Sequence, residues 1–208
     1  MTGLGNRPDT RDITPAQPGP HGPGARDALR LFVAVPVAIE VRDLLAAAIE
    51  PVRAAFPEAR WQAPGTWHLT VRFLGDTPAA GLAHVEWAVQ DAAAAAGPFD
   101  VSLGRPGTFR RGRGGDVAWI GMDGGAPQLA ALARALAERL SPETASAEPA
   151  LRAHLTLARE APPGIAAAIA AVMPGARSWR ADRLVLYRSE LGRGGARHTP
   201  LVEAALGG

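Results

Sequence analysis

The sequence predicts an α+β fold, with two similar lobes facing each other across a central groove. Three observations lead there. Apolar residues alternate or recur at helical spacing in the order strand, helix, strand, helix, strand, strand, helix, strand, helix, strand, strand. The pattern His-Leu-Thr-aliphatic occurs twice, at His68-Leu69-Thr70-Val71 and His154-Leu155-Thr156-Leu157, in a chain with only five histidines. Average residue frequencies put a chance double match on the order of 1 in 100,000. One copy falls in each half and each precedes a helix, so each lobe would offer one His-x-Thr front to a shared cleft.

Residues 1–28 are rich in Pro and Gly, with Arg7, Arg11 and Arg26 balanced by Asp9, Asp12 and Asp27. They read as a flexible tail ahead of a single bilobal domain over residues 29–208. Leu31 to Val35 is a strand ended by Pro36. Val41, Leu44, Leu45, Ala48, Ile49, Val52 and Phe56 then follow a helical period, with Pro51 placed to kink or shorten it. Trp67 to Leu74 is the first motif strand, closed by Gly75-Asp76. An alanine-rich helix covers Pro78 to Ala96, with Leu82, Val85 and Val89 on one face. Phe99 to Leu103 and Val117 to Gly121 read as strands around a Gly/Arg-rich loop. Ala126 to Leu140 is a helix that buries Leu129, Leu132, Leu136 and Leu140. Leu151 to Ala158 is the second motif strand, and Pro162-Pro163-Gly164 opens a short helix through Met173. Asp182 to Ser189 and His198 to Ala205 close the chain as strands. The repeated tetrapeptide Gly-Arg-Gly-Gly, at Gly112 and again at Gly192, reads as two hairpin loops.

Composition narrows the function classes. With 47% apolar residues the chain supports an ordinary soluble core. It has no cysteine, which excludes disulfides, thiolate metal sites and a cysteine nucleophile. No apolar run approaches the ~20 residues that span a bilayer, and no basic start leads into an apolar segment. A cytoplasmic protein with no membrane partner is expected. All 22 basic residues are arginine. Genome composition is the first reading of that bias, although arginine also suits bidentate phosphate contacts. A net charge of +2 is too small for tight, non-specific nucleic-acid binding.

The motif itself carries chemistry. Successive strand side chains face opposite ways, so His68 and Thr70 share one face while Leu69 and Val71 share the other. The same holds for His154 and Thr156. Two imidazoles that titrate near neutrality can divide acid and base work, and threonine hydroxyls donate to anionic oxygens. Thr70 and Thr156 beside His68 and His154 would hold a phosphate diester for in-line displacement at phosphorus without a metal. A metal site is disfavoured because no Asp, Glu or third His joins either motif. No cofactor is expected.

The two HLT-aliphatic motifs resemble the signatures of the 2H phosphoesterase superfamily. Within it the chain resembles the RNA 2′,3′-cyclic phosphodiesterases, also called 2′-5′ RNA ligase-like proteins. Arg30-Leu31-Phe32-Val33-Ala34-Val35-Pro36 is similar to the family's opening strand. His68-Leu69-Thr70-Val71-Arg72-Phe73-Leu74-Gly75 and His154-Leu155-Thr156-Leu157-Ala158-Arg159 are similar to its signature blocks. Leu184-Val185-Leu186-Tyr187-Arg188-Ser189, Gly194-Gly195 and Thr199-Pro200-Leu201 are similar to its closing hairpin. The resemblance runs from about residue 30 to the C-terminus. Three features depart from it: Ala153 replaces the usual proline, His198 replaces the usual tyrosine, and the long tail is additional.

The resemblance implies two pseudo-symmetric lobes of antiparallel sheet with outer helices around the cleft. It implies a hydrolase that opens an RNA terminal 2′,3′-cyclic phosphate to a 2′-phosphomonoester; a monomer is expected. His68 would be the proton donor and His154 the proton acceptor, a direction the near-identical motifs do not set by themselves. Weak reverse 2′-5′ ligation is also implied. Arg72 and Arg152 share strand parity with the histidines and are candidates for the phosphate or the RNA backbone, a surface arginine being the alternative. Arg159 has the opposite parity unless a bulge intervenes, yet the family pattern favours arginine there. Phe32 or Phe73 would stack on a base or pack in the core. Tyr187 would pack or bond at the cleft wall. The two Gly-Arg-Gly-Gly loops have a second reading, as arginine-tipped loops at the RNA entrance. Two other functions fit the same residues: a 2H enzyme for small cyclic nucleotides or 2′-5′ oligonucleotides, and a non-catalytic RNA-end binder.

Overall fold

The computed structural model describes residues 28–110, 115–140, 152–175, 177–192 and 195–208. The expected tail lies outside the described residues except for Ala28, which begins the first strand. The elements run β1 (Ala28–Pro36), α1 (Ile39–Ala55), β2 (Arg60–Trp61), β3 (His68–Pro78), α2 (Leu82–Ala94), β4 (Phe99–Phe109) and β5 (Asp116–Gly124). They continue with α3 (Ala126–Arg139), β6 (Leu155–Ala161), α4 (Ile165–Val172), β7 (Ser178–Ala181), β8 (Arg183–Gly192) and β9 (Gly195–Ala205).

The two lobes are halves of one sheet. Its order is β7-β4-β5-β6-β3-β1-β8-β9, with β2 paired to β6, and paired neighbours run antiparallel. The halves mirror each other in role. The inner strands β6 and β3 carry or adjoin the two motifs, β5 and β1 flank them, and β4-β7 and β8-β9 form the outer parts.

Side-chain alternation decides what each face of the sheet meets. Leu31, Val33 and Val35 of β1, Leu69 of β3, Ile120 of β5, Leu155 and Leu157 of β6, and Leu184 and Leu186 of β8 all enter one buried cluster. The helices close over that face. Val41, Leu45, Ile49 and Val52 of α1 join the same cluster, as do Val85 and Val89 of α2, Leu129, Leu132 and Leu136 of α3, and Ile165 and Ile169 of α4. Each fully buried aliphatic contributes about 1.5–3 kcal/mol relative to exposure. Leu44, expected on the buried face of α1, is 49% exposed. Pro51 does not end α1, because it lies in the exposed last turn. No helix among the described residues is long and apolar enough to cross a membrane.

Several strands differ from the sequence expectation, each for a local reason. β3 does not stop at Gly75-Asp76; Gly75 adopts φ +68° at a register shift against Leu31 and Phe32, and the strand resumes. β4 runs on through Gly104 to Phe109, a stretch whose Pro and Gly read as loop. A register shift between Leu103 and Pro106 takes up the irregularity. β7 escaped notice because only Trp179 and Ala181 of its four residues are buried. His154 lies just ahead of β6, which starts at Leu155. The Gly-Arg-Gly-Gly loops fall largely on residues 111–114 and 193–194, outside the described residues.

Candidate active site

β3 and β6 meet at one bridge, Leu69 opposite Leu155, and both leucines are fully buried on the helix side. Continued one residue each way, the antiparallel register sets His68 opposite Thr156 and Thr70 opposite His154. Alternation turns these four side chains onto the face away from the helices. The histidines become diagonal neighbours across the seam, a relation that places Cβ atoms about 7–8 Å apart.

Both rings are held alike. The 3₁₀ turn Pro64–Thr66 ends just before His68 and brings the Thr66 carbonyl to 2.7 Å from its Nδ1. The Arg152 carbonyl stands 2.6 Å from Nδ1 of His154. A carbonyl oxygen only accepts, so Nδ1 donates in both rings and Nε2 is left for a ligand. Neutral, each Nε2 is a base; protonated, it is an acid.

Burial disfavours the charged form of both rings. Burial pushes His68 down from 6.5 to about 4; the Thr66 carbonyl opposes this, and the charges of His198 and His154 lower it further. Burial also lowers His154, against the Arg152 carbonyl and with the help of the Arg159 guanidinium. A bound anion acts oppositely on both, because a negative charge nearby favours the imidazolium.

Aromatic rings back each histidine. Phe32 lies 4.7 Å from His68, stacks on Tyr187 at 5.1 Å and meets His198 edge-on at 4.9 Å. Across the seam, Phe109 meets His154 edge-on at 5.1 Å, Trp119 lies 6.4 Å from it, and the two rings stack at 4.7 Å. The Arg152 guanidinium sits 5.9 Å over Phe109. Sequence reasoning missed Phe109 and Trp119. The signal available was Gly107, which stands opposite Trp119 in register. A Cβ there would fall 2.5 Å from the indole, so only glycine admits the ring.

Two bulges set the remaining candidates. In β6 the register against β5 shifts at Leu157, so Leu157 and Ala158 are both buried and Arg159 emerges exposed. This is the bulge on which cleft-side parity for Arg159 depended, and its charge acts on both His154 and His198. In β3 the matching shift falls at Val71, setting Arg72 opposite core-facing Val33 and Phe73 opposite Phe32. The cleft parity expected for Arg72 therefore stops at the bulge. Phe73, 45% exposed and 5.9 Å from Phe32, takes the place in β3 that Arg159 takes in β6. Phe32 is fully buried beneath the site, and Tyr187 is half-buried. The Tyr187 phenol is pushed up by burial and by Glu203, with Arg183 opposing. Among the described residues no three His, Asp or Glu side chains gather as metal ligands would.

The sequence profile of the 2′-5′ RNA ligase superfamily matches residues 32–193. An RNA 2′,3′-cyclic phosphodiesterase of Methanothermobacter thermautotrophicus is 27% identical over 95 residues, 46% of this chain and 52% of that protein. One from Geobacillus stearothermophilus is 29% identical over 91 residues, 44% of this chain and 29% of its own length. The matches thus span about half or less of those relatives. The crystal structure of E. coli LigT in its apo form superposes with a TM-score of 0.69 at 28% identity, covering 86% of this chain and 98% of LigT. LigT has also been solved with 3′-AMP. With most of its length inside the matched profile and both motifs seated at the seam, the chain belongs to the 2′-5′ RNA ligase superfamily.

Proposed function

We propose that this chain hydrolyses RNA 2′,3′-cyclic phosphate ends to 2′-phosphomonoesters by metal-independent acid-base catalysis. The observation that carries the reading is the Leu69–Leu155 bridge, which brings the two motifs side by side, with the Nδ1 proton of each histidine committed to a carbonyl. Thr70 and Thr156 donate to the non-bridging oxygens. His154, the more exposed ring, takes a proton from water at Nε2 as that water attacks phosphorus. The bond to the ribose 3′-oxygen breaks, and that oxygen takes a proton from Nε2 of His68. The phosphate's charge supports the protonated state that His68 lacks in the empty site. The curated relatives named for this activity support the substrate class. Microscopic reversibility lets a 5′-hydroxyl end replace water, giving weak 2′-5′ ligation.

The test is mass spectrometry of a 2′,3′-cyclic oligoribonucleotide incubated with the protein in EDTA. The expected product gains one water and loses its terminal phosphate to a phosphatase. Unchanged substrate, or turnover abolished by EDTA, rejects the proposal. Turnover of cyclic mononucleotides with none of the oligomer assigns the site to a different substrate.

A further inference from the structure

His198 is an imidazole at the site for which the acid-base scheme has no use. It lies on β9, opposite Ser189 of β8, and its ring meets His68 edge-on at 5.4 Å. The ring is wedged against Phe32 at 4.9 Å and Tyr187 at 6.5 Å. The titratable and charged groups that face it are His68 of β3, Tyr187 of β8 and Arg159 of β6. Arg159 acts on both His198 and His154. His198 thus stands beside His68 at the seam, where the Arg159 charge acts on it as it acts on His154.

Its hydrogen bonding separates it from the other two. Nδ1 of His198 is buried and makes no hydrogen bond. The Arg197 carbonyl favours a proton on the ring, yet Nδ1 gives it none in bonding geometry. Nδ1 is thus closed off from a ligand, and Nε2 is the ring nitrogen left to meet one. Beside an anion the ring is favoured in its protonated form, in which Nε2 carries hydrogen.

We infer that His198 is a third substrate-binding imidazole, donating from Nε2 to a non-bridging oxygen of the phosphoryl group held between His68 and His154. This rests on the proposed phosphodiester reading of the site. The role is to hold the anion and not to move a proton, because a ring already carrying hydrogen on the cleft side is no base.

The experiment compares wild type, His198→Phe and His198→Gln as full chains. Phe keeps the ring packing against Phe32 and removes the donor; Gln restores a donor. With a cyclic-ended oligomer, His198→Phe is expected to raise KM by about 10- to 100-fold, the worth of one hydrogen bond to a charged oxygen. Gln should recover part of the loss. A second arm uses inorganic phosphate and nitrogen NMR of the imidazoles, and needs no turnover. Phosphate should move the His198 Nε2 signal in wild type and bind more weakly to His198→Phe. Equal KM and equal phosphate affinity in the Phe variant overturn the inference. A wild type that binds phosphate through His198 but opens no cyclic end rejects the proposed activity and leaves this assignment standing.

Discussion

Burial of His68 makes the fold acid-sensitive, and one substitution isolates the effect. The ring titrates at 6.5 in an unfolded chain and at about 4 in the folded one. As pH falls the unfolded state therefore takes up this proton first. The stability involved is fully present above 6.5 and is lost as pH falls from 6.5 to about 4. At about 1.4 kcal/mol per unit, the whole loss is about 3 kcal/mol, with about 2 kcal/mol of it gone by pH 5. His68→Gln removes the titration and keeps a polar side chain of similar reach. Urea unfolding of both proteins at pH 8 and pH 5 measures the difference. His154 and His198 are also lowered, so both proteins lose stability in acid. The wild type should lose about 2 kcal/mol more than the variant. Equal losses would mean that His68 is not held neutral by the fold, and would undo the account of how the empty site rests. Inorganic phosphate should shrink the gap, since a bound anion lets the ring protonate in place.

Three further outcomes are expected. His68→Ala and His154→Ala should each lower kcat by about 100- to 10,000-fold, measured with EDTA present; full activity in either removes that ring from the reaction. Arg159→Gln takes away a positive charge that lowers His154, so the base is ready only at higher pH and the acid limb of the kcat/KM profile should move upward. A limb that stays put separates Arg159 from the base. Gly107→Ala drives a Cβ to within 2.5 Å of the Trp119 indole, where carbon contacts settle at about 3.5–4.0 Å. The indole must shift by about 1 Å, with a stability loss of about 1–3 kcal/mol. Thermal melting and tryptophan emission report both, and an unmoved emission spectrum would show the slot to be looser than drawn.

Much of the site was legible in the residues because its signals are local. The paired His-x-Thr fronts with leucine backs appear in four-residue windows, and the seam puts those leucines together. The helix faces at Val41, Leu45, Ile49 and at Leu129, Leu132, Leu136 follow a period that burial alone enforces. What escaped depends on register between distant strands. Nothing near Val71 or Leu157 announces a bulge, yet these two extra residues turn Arg72 away and bring Arg159 out. Phe109 was hidden because Gly104, Pro106 and Gly107 resemble a loop until β5 pairs with them. Whether the lobes form two sheets or one rests on a single long-range bridge.

That bridge has a consequence for any attempt to divide the molecule. In the proposed mechanism both threonines and both histidines hold one phosphate, so neither segment owns a complete set. An isolated half could rebuild the four-residue arrangement only by docking against a duplicate of itself about a two-fold axis, with each leucine meeting its own twin. The proposed reaction would then belong to the joint, and a cut anywhere between the two motifs would have to be repaired by reassembly before any chemistry returned.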